Sequence, residues 1–170
     1  EITDGLRFPE GPIAMPDGSV IVVELFSACL TRVWPDGTKE RVAETPGGPN
    51  GAAIGPDGAI YLCNNGGCFT PIERNGRFQP GRYDPERYLG GKIQRVDLYD
   101  GSVTDLYTEC EGRPLRAPND LVMDGHGGFW FTDHGIRDLD ARTADLTAIY
   151  HAKCDGSEIT EAIFPVEGPN

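Results

Sequence analysis

Short runs of apolar, β-branched residues separated by Asp-Gly turns recur along the chain and predict antiparallel strands. In the first unit, Gly11–Met15 leads into the turn Pro16-Asp17-Gly18, and Ser19–Glu24 follows it. Two further runs, Cys29–Trp34 and Thr38–Ala43, are joined by a second Pro-Asp-Gly turn. Short apolar runs joined by tight turns are typical of β-hairpins. We therefore predict a four-stranded antiparallel sheet within residues 1–48.

The same arrangement occurs twice more. The predicted units cover residues 49–117 and 118–168, and a further unit begins at 169. No linker or change of composition divides residues 1–170, so we predict a single domain. The runs predicted as strands in the second and third units are Gly51–Gly55, Ala59–Asn64, Lys92–Leu98, Val103–Tyr107, Leu121–Asp124, Gly128–Asp133, Thr147–Ala152 and Glu158–Phe164.

A short motif precedes the first strand of each unit. It reads Pro9-Glu10-Gly11, Pro49-Asn50-Gly51 and Pro118-Asn119-Asp120, and it begins again at Pro169-Asn170. The separations between copies are typical of propeller blades, with one long insertion in the second unit. We predict an all-β fold, a β-propeller of which about three blades are present as the N-terminal half of the domain. Because three blades cannot close a ring, we expect the missing blades to come from the same chain or from a partner.

The insertion in the second unit covers Cys68–Gly91 and contains Tyr83, Tyr88, Arg82 and Arg87. A polar loop of this length inside a compact domain is usually functional or mobile. Two interpretations stay open, a solvated surface loop and a lid over the mouth of the propeller.

Composition limits the partners. The net charge of −12 would repel phosphate backbones, and no basic stripe is present, so a nucleic-acid partner is disfavoured. No apolar run is long enough for a membrane span, and residues 1–25 lack the pattern of a leader. We expect a soluble protein, cytoplasmic rather than secreted, acting on a small-molecule substrate.

Five cysteines lack the spacing of a zinc site. Most are predicted to be buried thiols, although Cys63 and Cys68 are close enough in sequence to form a disulfide. Phe129, Trp130 and Phe131 are predicted to pack between blades. His134 fits either a surface turn or a hydrogen-bond donor in a pocket.

Propeller geometry brings the motif residues together. The innermost strand of each blade lines the central channel, so Glu10, Asn50, Asn119 and Asn170 are expected at the channel mouth. Each hairpin returns to the same face fourteen residues later, at Glu24, Asn64 and Asp133. One carboxylate with several amide oxygens suits a hard cation such as Ca²⁺, with Mg²⁺, Mn²⁺ or Zn²⁺ as alternatives. The absence of a His/Cys grouping disfavours zinc. The competing interpretation is that the Asn residues serve only as turn residues.

These motifs, in this order, resemble those of a known protein family. Phe8-Pro9-Glu10-Gly11-Pro12, Pro49-Asn50-Gly51, Ala117–Asp120, Gly128–Asp133 and Gly168–Asn170 resemble the senescence marker protein/gluconolactonase/luciferin-regenerating enzyme family. The resemblance implies a six-bladed propeller with a divalent ion at the channel mouth. It also implies hydrolysis of lactones, or of phosphorus esters as in the related diisopropyl fluorophosphatase.

The resemblance also implies roles for individual residues. Glu10, Asn119 and Asn170 match three of the family's metal ligands, and the fourth, a catalytic Asp of the fifth blade, is expected beyond residue 170. Asn50 stands where the family often has no ligand, and it is expected to face the substrate or the ligands. The family often places an Arg two residues before the third-blade Asn, where this chain has Ala117. The candidate substrate-binding residues are Asn50, Asn64, Asp133, His134 and Arg116.

The activity implied is metal-assisted hydrolysis of a lactone, with the metal polarising the carbonyl and a carboxylate activating water. The alternative is a non-catalytic propeller fragment or binding scaffold that lacks the catalytic Asp.

Overall fold

A computed structural model describes residues 2–170, and within that range every regular element is a β-strand. The prediction of an all-β propeller fold is confirmed. Twelve of the strands form three four-stranded antiparallel sheets, and the others form two-stranded hairpins. Residues 2–170 contain no helix with the length and apolar character needed to cross a membrane.

The first blade follows chain order, with each strand paired to the next. Its two Asp-Gly turns are built in the same way. The Asp17 carboxylate accepts hydrogen bonds from the backbone N–H and hydroxyl of Ser19, and the Asp36 carboxylate accepts the same two bonds from Thr38. The strands are β1 (Pro9–Ala14), β2 (Val20–Glu24), β3 (Cys29–Val33) and β4 (Lys39–Glu44).

The second blade contains the long insertion between its second and third strands. The insertion is an ordered hairpin rather than an irregular loop, formed by β7 (Pro71–Arg74) and β8 (Arg77–Pro80). The four strands of the blade itself are β5 (Pro49–Ile54), β6 (Ile60–Asn64), β9 (Lys92–Val96) and β10 (Val103–Tyr107).

The third blade is reached through a small hairpin and carries another between its second and third strands. The connecting hairpin consists of β11 (Glu109–Cys110) and β12 (Arg113–Pro114), and the inserted one of β15 (Arg137–Asp138) and β16 (Thr143–Ala144). The strands of the blade are β13 (Pro118–Met123), β14 (Gly128–Asp133), β17 (Thr147–Lys153) and β18 (Ile159–Val166).

The inner strands β1, β5 and β13 lie side by side around the axis, and glycine allows their close approach. A Cβ on Gly11 would lie 2.5 Å from the backbone nitrogen of Ala52 in the next blade. A Cβ on Gly51 would lie 2.5 Å from the Cα of Asp120 in the third blade. The glycine of the motif therefore permits the contact between neighbouring blades.

Both faces of the second blade are buried, one against each neighbour. Along β6, Ile60 and Leu62 pack towards the first blade, whereas Tyr61 and Cys63 pack towards the third. Successive side chains of a strand point to opposite faces, so a strand buried on both sides reads as a continuous apolar run. This explains why Ala59–Asn64 shows no alternation.

The same alternation separates the aromatic side chains of β14. Phe129 and Phe131 are buried in the interface with the second blade, as expected. Trp130 lies between them on β14 and therefore faces away; it is 41% exposed and packs against His151. Trp130 is paired with Val122 on the opposite face of the sheet, so it does not pack between the second and third blades, and its predicted packing against a further blade stays a prediction.

All five cysteines are free thiols. Cys63 packs between the second and third blades, whereas Cys68 packs against Ala117 and Ile136 in a separate cluster. The two side chains belong to different parts of the core, so no disulfide joins them.

Candidate functional site

Four motif residues from successive units line one cavity of about 370 Å³. We call it the amide cavity, because Glu10 supplies a carboxylate while Asn50, Asn119 and Asn170 supply amides. Its remaining walls are Phe8, Leu25, Phe69, Pro80, His134 and Gly168. The structure therefore brings together residues that lie as far apart in sequence as Glu10 and Asn170.

A β-bulge lies next to the motif in each inner strand. Pairing with the second strand is regular at the motif proline and then shifts register, between Glu10 and Ile13 in β1, Pro49 and Ala52 in β5, and Pro118 and Leu121 in β13. Bulges bend a strand and redirect its side chains, and they are common next to active sites. The repeated bulge explains how residues of three blades turn towards one cavity.

The three asparagines form a chain of hydrogen bonds across the cavity. The amide nitrogen of Asn50 donates to Oδ1 of Asn119 at 2.5 Å, and the amide nitrogen of Asn119 donates to Oδ1 of Asn170 at 2.5 Å. Each carbonyl oxygen has two lone pairs, so an oxygen that accepts one of these bonds retains capacity for a cation. The chain of amides joins the second and third blades to the start of the next unit.

Glu10 is the carboxylate of the amide cavity and takes no part in any ion pair of residues 2–170. Partial burial raises the pKa of Glu10, and the negative charge of Asp120 raises it further. Both effects disfavour the charged form in the absence of a counter-charge. A cation in the cavity would relieve them, so the electrostatics suit a positively charged ligand.

A buried acceptor holds the segment that leads into each inner strand. Glu24, Asn64 and Asp133 end the second strands of their blades, and their side chains are no more than 7% exposed. Each accepts hydrogen bonds from backbone N–H groups two or three residues before the motif residue. The pairs are Glu24 with Arg7 at 2.8 Å, Asn64 with Gly48 at 2.9 Å, and Asp133 with Arg116 and Ala117 at 2.7 Å.

Asn64 and Asp133 were predicted to bind substrate at the channel mouth, but their side chains lie elsewhere. Neither side chain lines the amide cavity; the polar atoms of both are engaged with the backbone, and Nδ2 of Asn64 also donates to Oε1 of Gln94. The geometry supports a role in positioning the motif residues and does not favour contact with substrate. The fixed spacing of fourteen residues was the sequence signal, but it does not reveal whether the side chain points into the cavity or into the blade.

Arg116 is held at the side of the site. Its Nε donates to Oδ2 of Asp145 at 2.7 Å, and its guanidinium lies over the ring of Tyr88. It does not line the amide cavity. The predicted contact between Arg116 and substrate therefore has no support in this geometry.

His134 borders the amide cavity and carries an unpartnered nitrogen. Its ring stacks on Phe69 with centroids 5.5 Å apart, and Nδ1 lies 2.6 Å from the carbonyl oxygen of Gly135. A carbonyl can only accept, so Nδ1 carries the proton, and Nε2 is an acceptor in the neutral ring. Nε2 is buried and has no hydrogen-bond partner within residues 2–170. Between the two predicted environments, the structure places His134 in the pocket, and its free nitrogen is an acceptor there rather than a donor.

The insertion of the second blade reaches the cavity. Phe69 and Pro80, at the base of the β7–β8 hairpin, form part of its wall. Phe78 of the same hairpin packs against Phe26 of the first blade, and the guanidinium of Arg7 lies 4.4 Å from its ring centroid. The insertion therefore bridges two blades beside the mouth; whether it moves as a lid stays a prediction.

The family of the chain follows from a match to a known family model. Residues 8–170 match the model of the SMP-30/gluconolactonase/LRE-like region. The chain belongs to this family. The match covers the three blades and all four motif residues of the amide cavity.

Individual relatives support the family and the fold. A gluconolactonase of Zymomonas mobilis is 23% identical over 155 residues, which cover 82% of this chain and 37% of that protein. A gluconolactonase from Xanthomonas campestris, whose structure is solved, is 21% identical with a TM-score of 0.71. A second solved structure, described as a putative gluconolactonase, is 18% identical with a TM-score of 0.69. This chain spans 51% and 53% of those two chains, about half their length.

The site depends on amide donors, and part of its wall could not be assigned from sequence. No cluster of three or more His, Cys, Asp or Glu side chains suited to a metal occurs within residues 2–170, so the donor set depends on amides. The apolar wall formed by Phe8, Leu25 and Phe69 comes from three separate loops and has no sequence signature.

Proposed function

We propose that this chain forms part of a lactone hydrolase of the gluconolactonase type, with a divalent cation bound in the amide cavity. Membership of the family supports a lactonase-type function. The observation that carries the proposal is the convergence of Glu10, Asn119 and Asn170, from three successive units, on one cavity.

The donor set fits a hard cation. Calcium prefers carboxylate and amide oxygens in a flexible shell, and Glu10, Asn119 and Asn170 offer these groups. Asn50 contacts Asn119 and is proposed to orient it. Ca²⁺ is the first choice, and Mg²⁺, Mn²⁺ or Zn²⁺ are alternatives, with zinc disfavoured by the lack of His and Cys in the donor set.

When bound, a divalent cation supplies Lewis acidity that polarises the lactone carbonyl. The residues of the chain bind and orient the substrate around it. Phe8, Leu25 and Phe69 present apolar surface that excludes water from one side of the cavity. The ring of His134, stacked on Phe69, forms another part of the wall.

One observation favours an alternative function, a binding scaffold without catalysis. Among the described residues, Glu10 is the only carboxylate that lines the amide cavity, so a carboxylate ligand for the cation and a separate carboxylate base are not both present. We propose that the base is an Asp from further blades, supplied by the same chain or by a partner. Those blades would also cover Val122, which is 62% exposed on the third blade.

The test is calcium binding and lactone hydrolysis by the intact protein and two matched variants. Glu10→Gln removes the charged oxygen ligand, whereas Glu40→Gln makes the same change on the exposed surface of the first blade. Calorimetry should show weaker calcium binding for Glu10→Gln alone, and its hydrolysis rate should fall in parallel. Calcium affinity that is equal in all three proteins would remove Glu10 from the site. Calcium binding without hydrolysis of any lactone would favour the scaffold.

A further inference from the structure

A second cavity, of about 450 Å³, adjoins the amide cavity. We call it the arginine cavity, because Arg82 and Arg137 both line it. The two cavities share Phe69, His134 and Gly168 as a common boundary. The two cavities are therefore neighbours across this boundary.

The charge of the arginine cavity is opposite to that of the chain. The protein has 27 acidic and 15 basic residues, yet no Asp or Glu lines this cavity. Its two charged side chains are both arginines. An arginine guanidinium is suited to carboxylate and phosphate groups, because its planar N–H donors match their oxygens.

Arg137 is the arginine available to a ligand. It forms no ion pair within the part of the chain that the structure describes. A Cβ built on Gly168 would lie 3.4 Å from its Nη2, so the guanidinium lies at the boundary between the two cavities. Arg82 instead pairs with Asp140, at 2.8 Å, and this ion pair links the inserted hairpin to the third blade.

Apart from Tyr83 and His134, the side chains in the rest of the wall are apolar or are glycine. Phe69, Ile136 and Leu139 come from the insertion and from the β15–β16 segment, and they form a slot beside the guanidinium. The base of the insertion is fixed there by two backbone hydrogen bonds of Thr70, whose N–H donates to the carbonyl of Arg82 and whose carbonyl accepts from the N–H of Gly81. Ligand sites commonly combine an apolar lining with a few convergent polar groups that determine orientation.

We propose that the arginine cavity selects lactones with an anionic group on an apolar arm, and that Arg137 binds this group. The inference rests on the proposed function, since the lactone ring would occupy the amide cavity. The shared chemistry of the substituent is a carboxylate or a phosphate. Arg137 is thus a specificity-determining residue separate from the cation ligands.

The test measures binding to the intact protein of a matched pair of lactams, which resist hydrolysis. One carries a carboxyl group on a short alkyl arm, and the other is its methyl ester. Arg137→Gln should weaken binding of the acid about tenfold, the effect of losing a charge-assisted hydrogen bond, and should leave the ester unchanged. Arg87→Gln is the control, because Arg87 is an exposed arginine of the same insertion that lines neither cavity. A phosphonate in place of the carboxylate identifies which of the two anions binds more tightly.

The outcomes separate this inference from the proposed function. If Arg137→Gln leaves the preference for acid over ester unchanged, or if neither lactam binds, the inference is overturned. Calcium binding is measured separately on the same proteins. If the unmodified protein does not bind calcium, the proposed function is overturned. The ratio of acid to ester affinity still shows whether Arg137 binds the anionic group.

Discussion

The amide nitrogen of Asn50 donates a hydrogen bond to Oδ1 of Asn119, so a residue of the second blade orients a proposed cation ligand of the third. Asn50→Ala should weaken calcium binding without abolishing it, because it removes an orienting contact and not a ligand. A single hydrogen bond contributes about 0.5–1.5 kcal/mol, which corresponds to a change of roughly two- to tenfold in affinity. Calorimetry on the variant checks this, with exposed Gln79→Ala as the control. Complete loss of binding would show that Asn50 is itself a ligand.

Asp133 should matter to stability through the backbone it holds. It accepts N–H groups of Arg116, Ala117 and Gly135. Asp133→Ala would leave buried donors without partners, at about 1–3 kcal/mol for each one that water cannot reach. Asp133→Asn should be milder, because Asn64 fulfils the corresponding role in the second blade. Denaturant unfolding of the two variants measures the difference; equal losses would contradict this role for the side-chain oxygen.

The sequence predicts where the inner strands begin but not the direction in which each side chain points. Glu10, Asn50 and Asn119 were predicted to converge because the period of the repeat determines where an inner strand begins. Asn64 and Asp133, fourteen residues after the motif residues, share the period but point into the blades. No pattern of residue types shows that direction. The contact between His134 and Phe69 depends on how the insertion of the second blade folds onto the third blade. No local sequence pattern predicts that packing.

Glu24 gives the stability of the first blade a dependence on pH. Burial alone would raise the pKa of Glu24, but hydrogen bonds from Thr31, Arg7 and Ser27 outweigh it and hold the pKa below its ordinary value of 4.5. Because the pKa is lower in the folded state, the carboxylate stabilises the fold above pH 4.5, and this contribution is lost as the pH falls through the folded pKa.

Thermal melts of Glu24→Gln between pH 3 and 7 test this dependence. We expect a flatter profile below about pH 5 than for the unmodified protein, because the titrating group is absent. Glu40→Gln, an exposed change on the same blade, should retain the original slope. An unchanged slope in Glu24→Gln would assign the acid sensitivity to other carboxylates.

The inserted hairpin should affect substrate binding through Phe78. Phe78→Ala removes its contacts with Phe26 and Arg7, so the hairpin would no longer be held beside the mouth of the amide cavity. We expect KM for a lactone to rise while the melting temperature of the blades changes little. Arg77→Ala, an exposed substitution in the same hairpin, is the control. Unchanged KM would identify the insertion as a surface feature without a role in binding.

The location of a bound cation tests the proposed metal site most directly. Crystals of the intact protein grown with Ca²⁺ or Mn²⁺ give anomalous scattering that marks the ion independently of the surrounding atoms. We expect one peak in the amide cavity, with oxygens of Glu10, Asn119 and Asn170 at about 2.3–2.6 Å for Ca²⁺. A peak elsewhere, or an amide cavity without a peak under conditions where calorimetry shows binding, would contradict the proposed metal site.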